Sequence, residues 1–181
     1  SGNLNNTSLY PVLFISFFLF CLTSSVIYII NDLKDIESDK FHFLKINKKP
    51  LASGLLSKQA AISILLFLLL LIGFILINFS IIIYHLMFYL IINVIYSFYI
   101  KKIPVFDVLL ISSGYIVRLD AGSVTISVNT SILLAISIFS LACFIIFIKR
   151  LVEFKTNNKL REVFAYYNES IVKYLIIISS I

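Results

Sequence analysis

Charge is what this chain has least of. Only 13% of its 181 residues are Asp, Glu, Lys or Arg, 60% are hydrophobic, and the mean hydropathy is +1.04, which excludes the balance of an ordinary soluble globular domain. Cysteine is nearly absent as well. Cys21 and Cys143 both lie inside apolar runs without metal-ligand spacing, so they offer no disulfide framework and no thiolate metal site, and read as packing or lipid-facing residues. No internal repeat, low-complexity linker or soluble domain interrupts the sequence, so residues 1–181 read as one transmembrane helical domain.

What is present is a series of apolar runs close to the roughly 20 residues that a bilayer-crossing helix needs. They cover Leu9–Ile30, Ala60–Phe79, Ile81–Ile100, Ile103–Val128 and Ser131–Ile148, and a sixth begins at Ile171. Leu9–Ile30 is longer than a signal-peptide core, has no basic residues before it and is followed by acidic ones, so it reads as a true span. The chain begins at Ser1 without methionine and the sixth run stops at Ile181, which reads as a fragment of a longer protein. With no water available to backbone groups in hydrocarbon, helices are the spanning element such runs predict, and the fold class is an all-α polytopic bundle.

The few charges are not spread evenly. If five spans alternate, the segments after the first, third and fifth share one side. They carry Lys34, Lys40, Lys45, Lys48, Lys49, Lys58, Lys101, Lys102, Lys149, Arg150, Lys155, Lys159 and Arg161, thirteen of the fifteen basic residues. The opposite segments, at the N-terminus and near Ser80 and Asn129, carry none, so the lysine-rich side is expected to be cytoplasmic. The net charge of +6 is read as this topology signal, with no nucleic acid as a partner. His85 reads as a packed helix histidine.

Both signs of charge are concentrated in residues 31–58, a cytoplasmic loop rich in Asp and Lys. Asn31, Asp35 and Asp39 recur every four residues and Asp32 lies on the adjacent turn, so a helix that continues past the membrane surface would carry them as one stripe. Carboxylates at that spacing repel one another unless a cation sits among them. Hard oxygen donors on one face suit Mg²⁺, which takes a few carboxylates together with substrate phosphate oxygens. Lys45, Lys48 and Lys49 follow at once, ammoniums able to meet phosphate oxygens, and Pro50 and Gly54 mark the return to the next span. Topology needs the lysines; it does not need Asn-Asp-x-x-Asp-x-x-x-Asp. The pattern therefore predicts a metal–diphosphate site.

Three further groups extend it. Asp107, Ile111, Gly114 and Arg118 fall on one face of the fourth span. An intramembrane arginine normally faces a polar cavity, so Arg118 is read as a phosphate ligand, or else as the ion-pair partner of Asp120 or Asp107. Tyr96, Ser97 and Lys101 close the third span, and Lys149, Arg150 and Glu153 the fifth. The acidic loop and the clusters that close the third and fifth spans are all expected at the cytoplasmic membrane surface, with Asp107 near that end of the fourth span and Arg118 nearer mid-membrane.

"NDLKDIESD" at Asn31–Asp39 resembles the N-D-x-x-D-x-x-x-D motif of the UbiA prenyltransferase superfamily. "YIINDLKDIESDKFHFLKINKKPLASG", "YSFYIKKIPVFDVLLISSGYIVRLDAG", "FIKRLVEF" and "LREVFAYYNESIV" resemble its decaprenyl-phosphate phosphoribosyltransferase branch, with lysine, Lys49, before Pro50 where that branch usually has arginine. The resemblance implies about nine transmembrane helices in the full protein, five complete and part of a sixth here. It implies transfer of 5-phosphoribose from phosphoribosyl diphosphate to a polyprenyl phosphate lipid with Mg²⁺ as cofactor. Asn31, Asp32, Asp35 and Asp39 would hold the metal, and Asp35, Lys101 and Arg118 would be catalytic. His42, Lys45, Lys48, Lys49, Tyr96, Lys101, Asp107, Arg118, Lys149, Arg150 and Glu153 would bind substrate. A bacterial plasma membrane is the expected location.

Two other classes are weighed beside it. A conventional prenyltransferase would ionise a prenyl diphosphate and alkylate an aromatic acceptor, but it would usually carry a second aspartate-rich motif where this chain has Lys149-Arg150-x-x-Glu153. A transporter or scaffold would line a path across the bilayer with polar groups, whereas here they crowd one side.

Overall fold

The computed structural model describes residues 6–41, 49–155 and 169–180; among them are six α-helices and no strand. They divide into two compact units, Ser1–Leu86 and Met87–Ile181.

In the first unit, helix α1 spans Tyr10–Lys40. A 3₁₀ turn at Thr7–Leu9 leads into it, capped by the Asn6 side chain, which accepts from the Ser8 N–H, and Pro11 stands in the first turn, where its missing N–H costs nothing. Thirty-one residues extend about 46 Å, well beyond hydrocarbon thickness, so the polar stretch after Ile30 continues the same helix, as the stripe requires. Its buried residues through the apolar part, Ser16, Leu19, Phe20, Leu22, Thr23, Val26 and Ile27, fall on one side of the helix. The hydroxyls of Ser16 and Thr23 donate to the carbonyls of Val12 and Leu19, so neither is left unsatisfied in an apolar setting.

Helix α2, Lys58–Asn78, starts at Ser57, whose hydroxyl accepts from the Ala60 N–H at 3.1 Å. The turn before it needs Gly54 at φ +80°, a left-handed conformation that side chains resist. The two helices meet around Ile36, Leu51 and Ala61, with Ile29, Leu33 and Leu56 against them. Beyond that seam α2 buries little: Leu66, Phe67, Leu70, Phe74 and Ile77 are all exposed, the inverse of a soluble helix and right for one surrounded by lipid or further helices.

Helix α3, Ile83–Phe98, joins the units. It has 16 residues, shorter than the expected Ile81–Ile100 run. At its start Ile81 and Ile82 lie in a turn. At its far end Pro104 forces Ile103 into an extended conformation (φ −99°, ψ 116°), so only a 3₁₀ turn, Ile100–Lys102, follows.

In the second unit, α4 (Phe106–Thr125) packs on α5 (Ile132–Lys155), and α5 on α6 (Glu169–Ser180). Val108, Cys143, Ile146 and Phe147 form the core, joined by Ile111, Phe139, Leu175 and Ile176. The Cys143 thiol lies 3.2 Å from the Ser112 hydroxyl, a packing role as expected, while Cys21 is exposed. Helix α4 ends in a Schellman turn: the N–H groups of Val128 and Ser127 reach back to the carbonyls of Ser123 and Val124, with Ser127 at φ 56°. Four helices, Thr7–Lys40, Lys58–Asn78, Phe106–Thr125 and Ile132–Val152, are long and apolar enough to cross a membrane.

Candidate functional site

The polar end of α1 has two faces. Ile29, Leu33 and Ile36 pack on α2 and the returning turn, and Asn31, Asp32, Asp35 and Asp39 occupy the adjoining stripe. Because Asp39 borders the packed face it is 1% exposed, whereas Asn31, Asp32 and Asp35 are half-buried. An isolated carboxylate buried that far is costly unless a cation and hydrogen bonds compensate. Lys49 supplies such a cation: its Nζ lies 2.6 Å from Asp39 Oδ2 and 2.8 Å from Asp32 Oδ1. Burial alone would lower the lysine pKa, but the hydrogen bonds and charges of Asp32 and Asp39 outweigh it, and the value rises above the ordinary 10.5. While the two carboxylates are ionised, the lysine's contribution to stability is therefore fully present up to the ordinary lysine value and is lost only as pH climbs through the raised one.

The main chain prepares this arrangement. The Lys49 carbonyl accepts from the Ser53 N–H at 3.0 Å and the Pro50 carbonyl from the Leu56 N–H, so a short turned segment fixes the lysine backbone beside α1. Among the described residues, no three His, Cys, Asp or Glu side chains stand close enough to share a metal ion; the two carboxylates brought together are Asp32 and Asp39. His42, Lys45 and Lys48 lie outside the described residues.

The second unit holds a different charged pair. Asp107 and Arg150 are 0% and 2% exposed, and Nε and Nη2 of the arginine approach the same oxygen, Asp107 Oδ2, at 3.0 and 2.9 Å. Asp107 lies in the first turn of α4, where the helix dipole favours negative charge. The expectation that Arg118 pairs with Asp107 is corrected by this contact: eleven residues on one helix separate them by about 16 Å, and Asp107 takes Arg150 instead. Just upstream, Val105 has φ 67° and ψ −50°, and the Phe106 N–H donates to the Pro104 carbonyl at 2.8 Å. This is a γ-turn of the strained hand, on a β-branched residue that ordinarily avoids it. Val105 packs with Val172, Leu151 and Ile176, which supplies the burial that offsets the strain.

Arg118 shares a helix face with Asp107 and Gly114 yet is exposed. It donates to the Tyr89 hydroxyl, and its guanidinium carbon stands 4.7 Å from the Tyr89 ring centroid and 5.5 Å from that of Tyr115, within cation–π range. Gly114 lies against the same ring, and a Cβ there would meet Tyr89 Cε2 at 3.4 Å, an ordinary van der Waals contact. Asp120 accepts from the Thr130 hydroxyl at 2.5 Å. Tyr96 and Lys101 are half-buried at the end of α3 and in the turn after it, Ser97 is buried, and Lys149 is exposed beside Arg150. Glu153 lies on the last turns of α5. Tyr89 and Tyr115 were not singled out from the sequence. Tyr115 could have been, three residues before Arg118 on the same face, but Tyr89 comes from another helix and leaves no local signal.

The sequence profile of the UbiA prenyltransferase family matches residues 3–162. Two curated proteins are similar in sequence: the decaprenyl-phosphate phosphoribosyltransferases of Mycolicibacterium smegmatis, 31% identical over 121 residues, and of Corynebacterium glutamicum, 32% identical over 120. Each alignment covers 65% of this chain but only 37% and 36% of the relative, so the matched region is little more than a third of those proteins. With the family profile spanning most of its length and four helices fit to cross a bilayer, the chain is an integral membrane protein that belongs to the UbiA prenyltransferase family.

Proposed function

We propose that the full protein transfers 5-phosphoribose from phosphoribosyl diphosphate to a polyprenyl phosphate, at the cytoplasmic face of a bacterial plasma membrane. The bond from ribose C1 to a diphosphate oxygen breaks, a bond from C1 to a lipid phosphate oxygen forms, and diphosphate leaves. The observation that carries the reading is the meeting of Asp32 and Asp39 on one cation, on the part of α1 that outruns the hydrocarbon. It is supported by the activity for which the two similar proteins are named, and the sidedness by the thirteen basic residues on one set of connecting segments.

The residues fit Mg²⁺ as a partner of the substrate. Magnesium commonly takes one or two carboxylates and completes its shell with water and substrate phosphate oxygens, which matches two converging carboxylates with Asn31 and Asp35 on the same stripe. When bound, the ion would neutralise charge on the departing diphosphate. Lys49, and Lys45 and Lys48 by their place in the sequence, supply ammoniums for the remaining phosphate oxygens. A phosphate nucleophile is already ionised near neutral pH, so the site needs little general-base help. The Asp107–Arg150 pair holds the start of α4 against α5, and Arg118, clasped by two tyrosines, presents a guanidinium suited to a phosphate.

The test is mass spectrometry of lipid products after full-length protein in membranes is given either phosphoribosyl diphosphate or a prenyl diphosphate. A phosphoribosylated polyprenyl phosphate formed only with the first donor is the expected result. A prenylated aromatic product formed only with the second would replace this reading with the conventional prenyltransferase reaction.

A further inference from the structure

Lys49 does more at the acidic stripe than mark a side of the membrane. Its ammonium lies 2.6 and 2.8 Å from oxygens of two carboxylates seven residues apart on one helix face, one of them almost wholly buried. Its backbone is held by the turn that runs to Ser53, but its side chain is 30% exposed and hangs on four rotatable methylenes. Such a lysine can pivot without moving the loop. A divalent ion on the same two carboxylates would need its ligand oxygens at about 2.0–2.1 Å, in the space the ammonium fills. Like charges that close repel strongly, so ammonium and metal exclude each other from that position.

We propose that Lys49 is an internal counter-cation that keeps a divalent metal off Asp32 and Asp39 until a diphosphate arrives to accept the lysine. The proposal rests on the metal–diphosphate reading above and adds an order to it. A metal entering alone would have to strand the Lys49 ammonium beside an ion of the same sign. A diphosphate removes that obstacle because its oxygens give Lys49 a new charge-assisted partner while others complete the metal's shell. Metal and diphosphate then bind with positive coupling, and each raises the affinity of the other by the same factor. The bland alternative is a purely structural bridge that pins the Lys49–Leu56 turn to α1. It predicts that losing the lysine weakens the site for every ligand.

The two are separated by equilibrium dialysis of full-length protein in detergent against Mn²⁺ at matched free concentrations, with and without inorganic pyrophosphate. The expected result is that pyrophosphate tightens Mn²⁺ binding to the wild type by about tenfold or more. Lys49→Gln should bind Mn²⁺ alone about tenfold more tightly than wild type and lose most of the pyrophosphate effect, while Lys49→Arg, which keeps the charge, should retain the coupling. Lys49→Gln binding Mn²⁺ alone no better than wild type would overturn the proposal and leave the metal–diphosphate reading standing, provided Mn²⁺ binds in the presence of pyrophosphate. No Mn²⁺ binding under either condition would sink both. The wild-type ratio needs no variant: equal Mn²⁺ affinity with and without pyrophosphate defeats the proposal even if Lys49→Gln fails to fold.

Discussion

In the first unit one ammonium, that of Lys49, reaches two carboxylates, keeps 30% of its side chain in the open and arrives from a turn ten residues beyond Asp39. In the second a guanidinium, Arg150, turns two nitrogens on one oxygen of Asp107, with both side chains essentially inaccessible and 43 positions apart in the sequence. The first is built to exchange partners: its cation is flexible, and its anions lie beside half-buried polar neighbours. The second is built to stay. Its partners project from two packed helices over the Val108–Phe147 core, where releasing either charge would leave it without water. Charged groups of the same types thus serve different ends according to burial and to how many elements must move to separate them.

The sharpest way to break that contrast is at Arg150. Arg150→Ala should destabilise the detergent-solubilised protein by about 3–5 kcal/mol, because a buried carboxylate is left uncompensated, and the paired change Asp107→Leu with Arg150→Met should recover most of it. Thermal melting of the two variants beside the wild type checks this. Recovery of stability without recovery of turnover would add a substrate role to Arg150.

At the exchangeable site the damage should fall on chemistry instead. Asp35→Asn is expected to cut turnover by about 10²–10³-fold with insertion and melting temperature unchanged; near-normal activity at saturating Mg²⁺ would remove Asp35 from the catalytic set.

Arg118 lies between the two cases, exposed yet engaged with two aromatic rings. Arg118→Ala should lower specific activity severely, with only partial rescue by Arg118→Lys because the fork is lost. If the arginine instead serves only to balance Asp120, changing both residues to apolar ones should restore activity per folded protein. Tyr89→Phe, which deletes the hydroxyl that Arg118 grips, should cost only about 1 kcal/mol of stability.

The smallest expected effect is none. With its pKa raised above 10.5, Lys49 stays charged in folded and unfolded chains alike near neutrality. The difference in melting temperature between wild type and Lys49→Gln should therefore be the same at pH 6 and pH 9. A difference that shrinks over that interval would mean that the lysine loses its proton far earlier than its two carboxylates allow.

Local features were the legible ones. Apolar runs located the helices because uninterrupted runs of that length span hydrocarbon as helices; their ends shifted where Pro104 shortened α3 and delayed α4 to Phe106, where α3 began only at Ile83, and where α1 and α5 ran on into polar sequence to Lys40 and Lys155. Asn31, Asp32, Asp35 and Asp39 could be put on one stripe because a helix repeats every 3.6 residues and α1 does not stop at the membrane edge. Which cation each carboxylate takes was a matter for tertiary structure. Lys49 reaches Asp32 and Asp39 through a turn held by Ser53 and Leu56, Arg150 reaches Asp107 across a helix interface, and Tyr89 reaches Arg118 from another helix. Each partner comes from a different element of the chain, and the distance between elements is set by side-chain packing, which no periodicity along a single helix encodes.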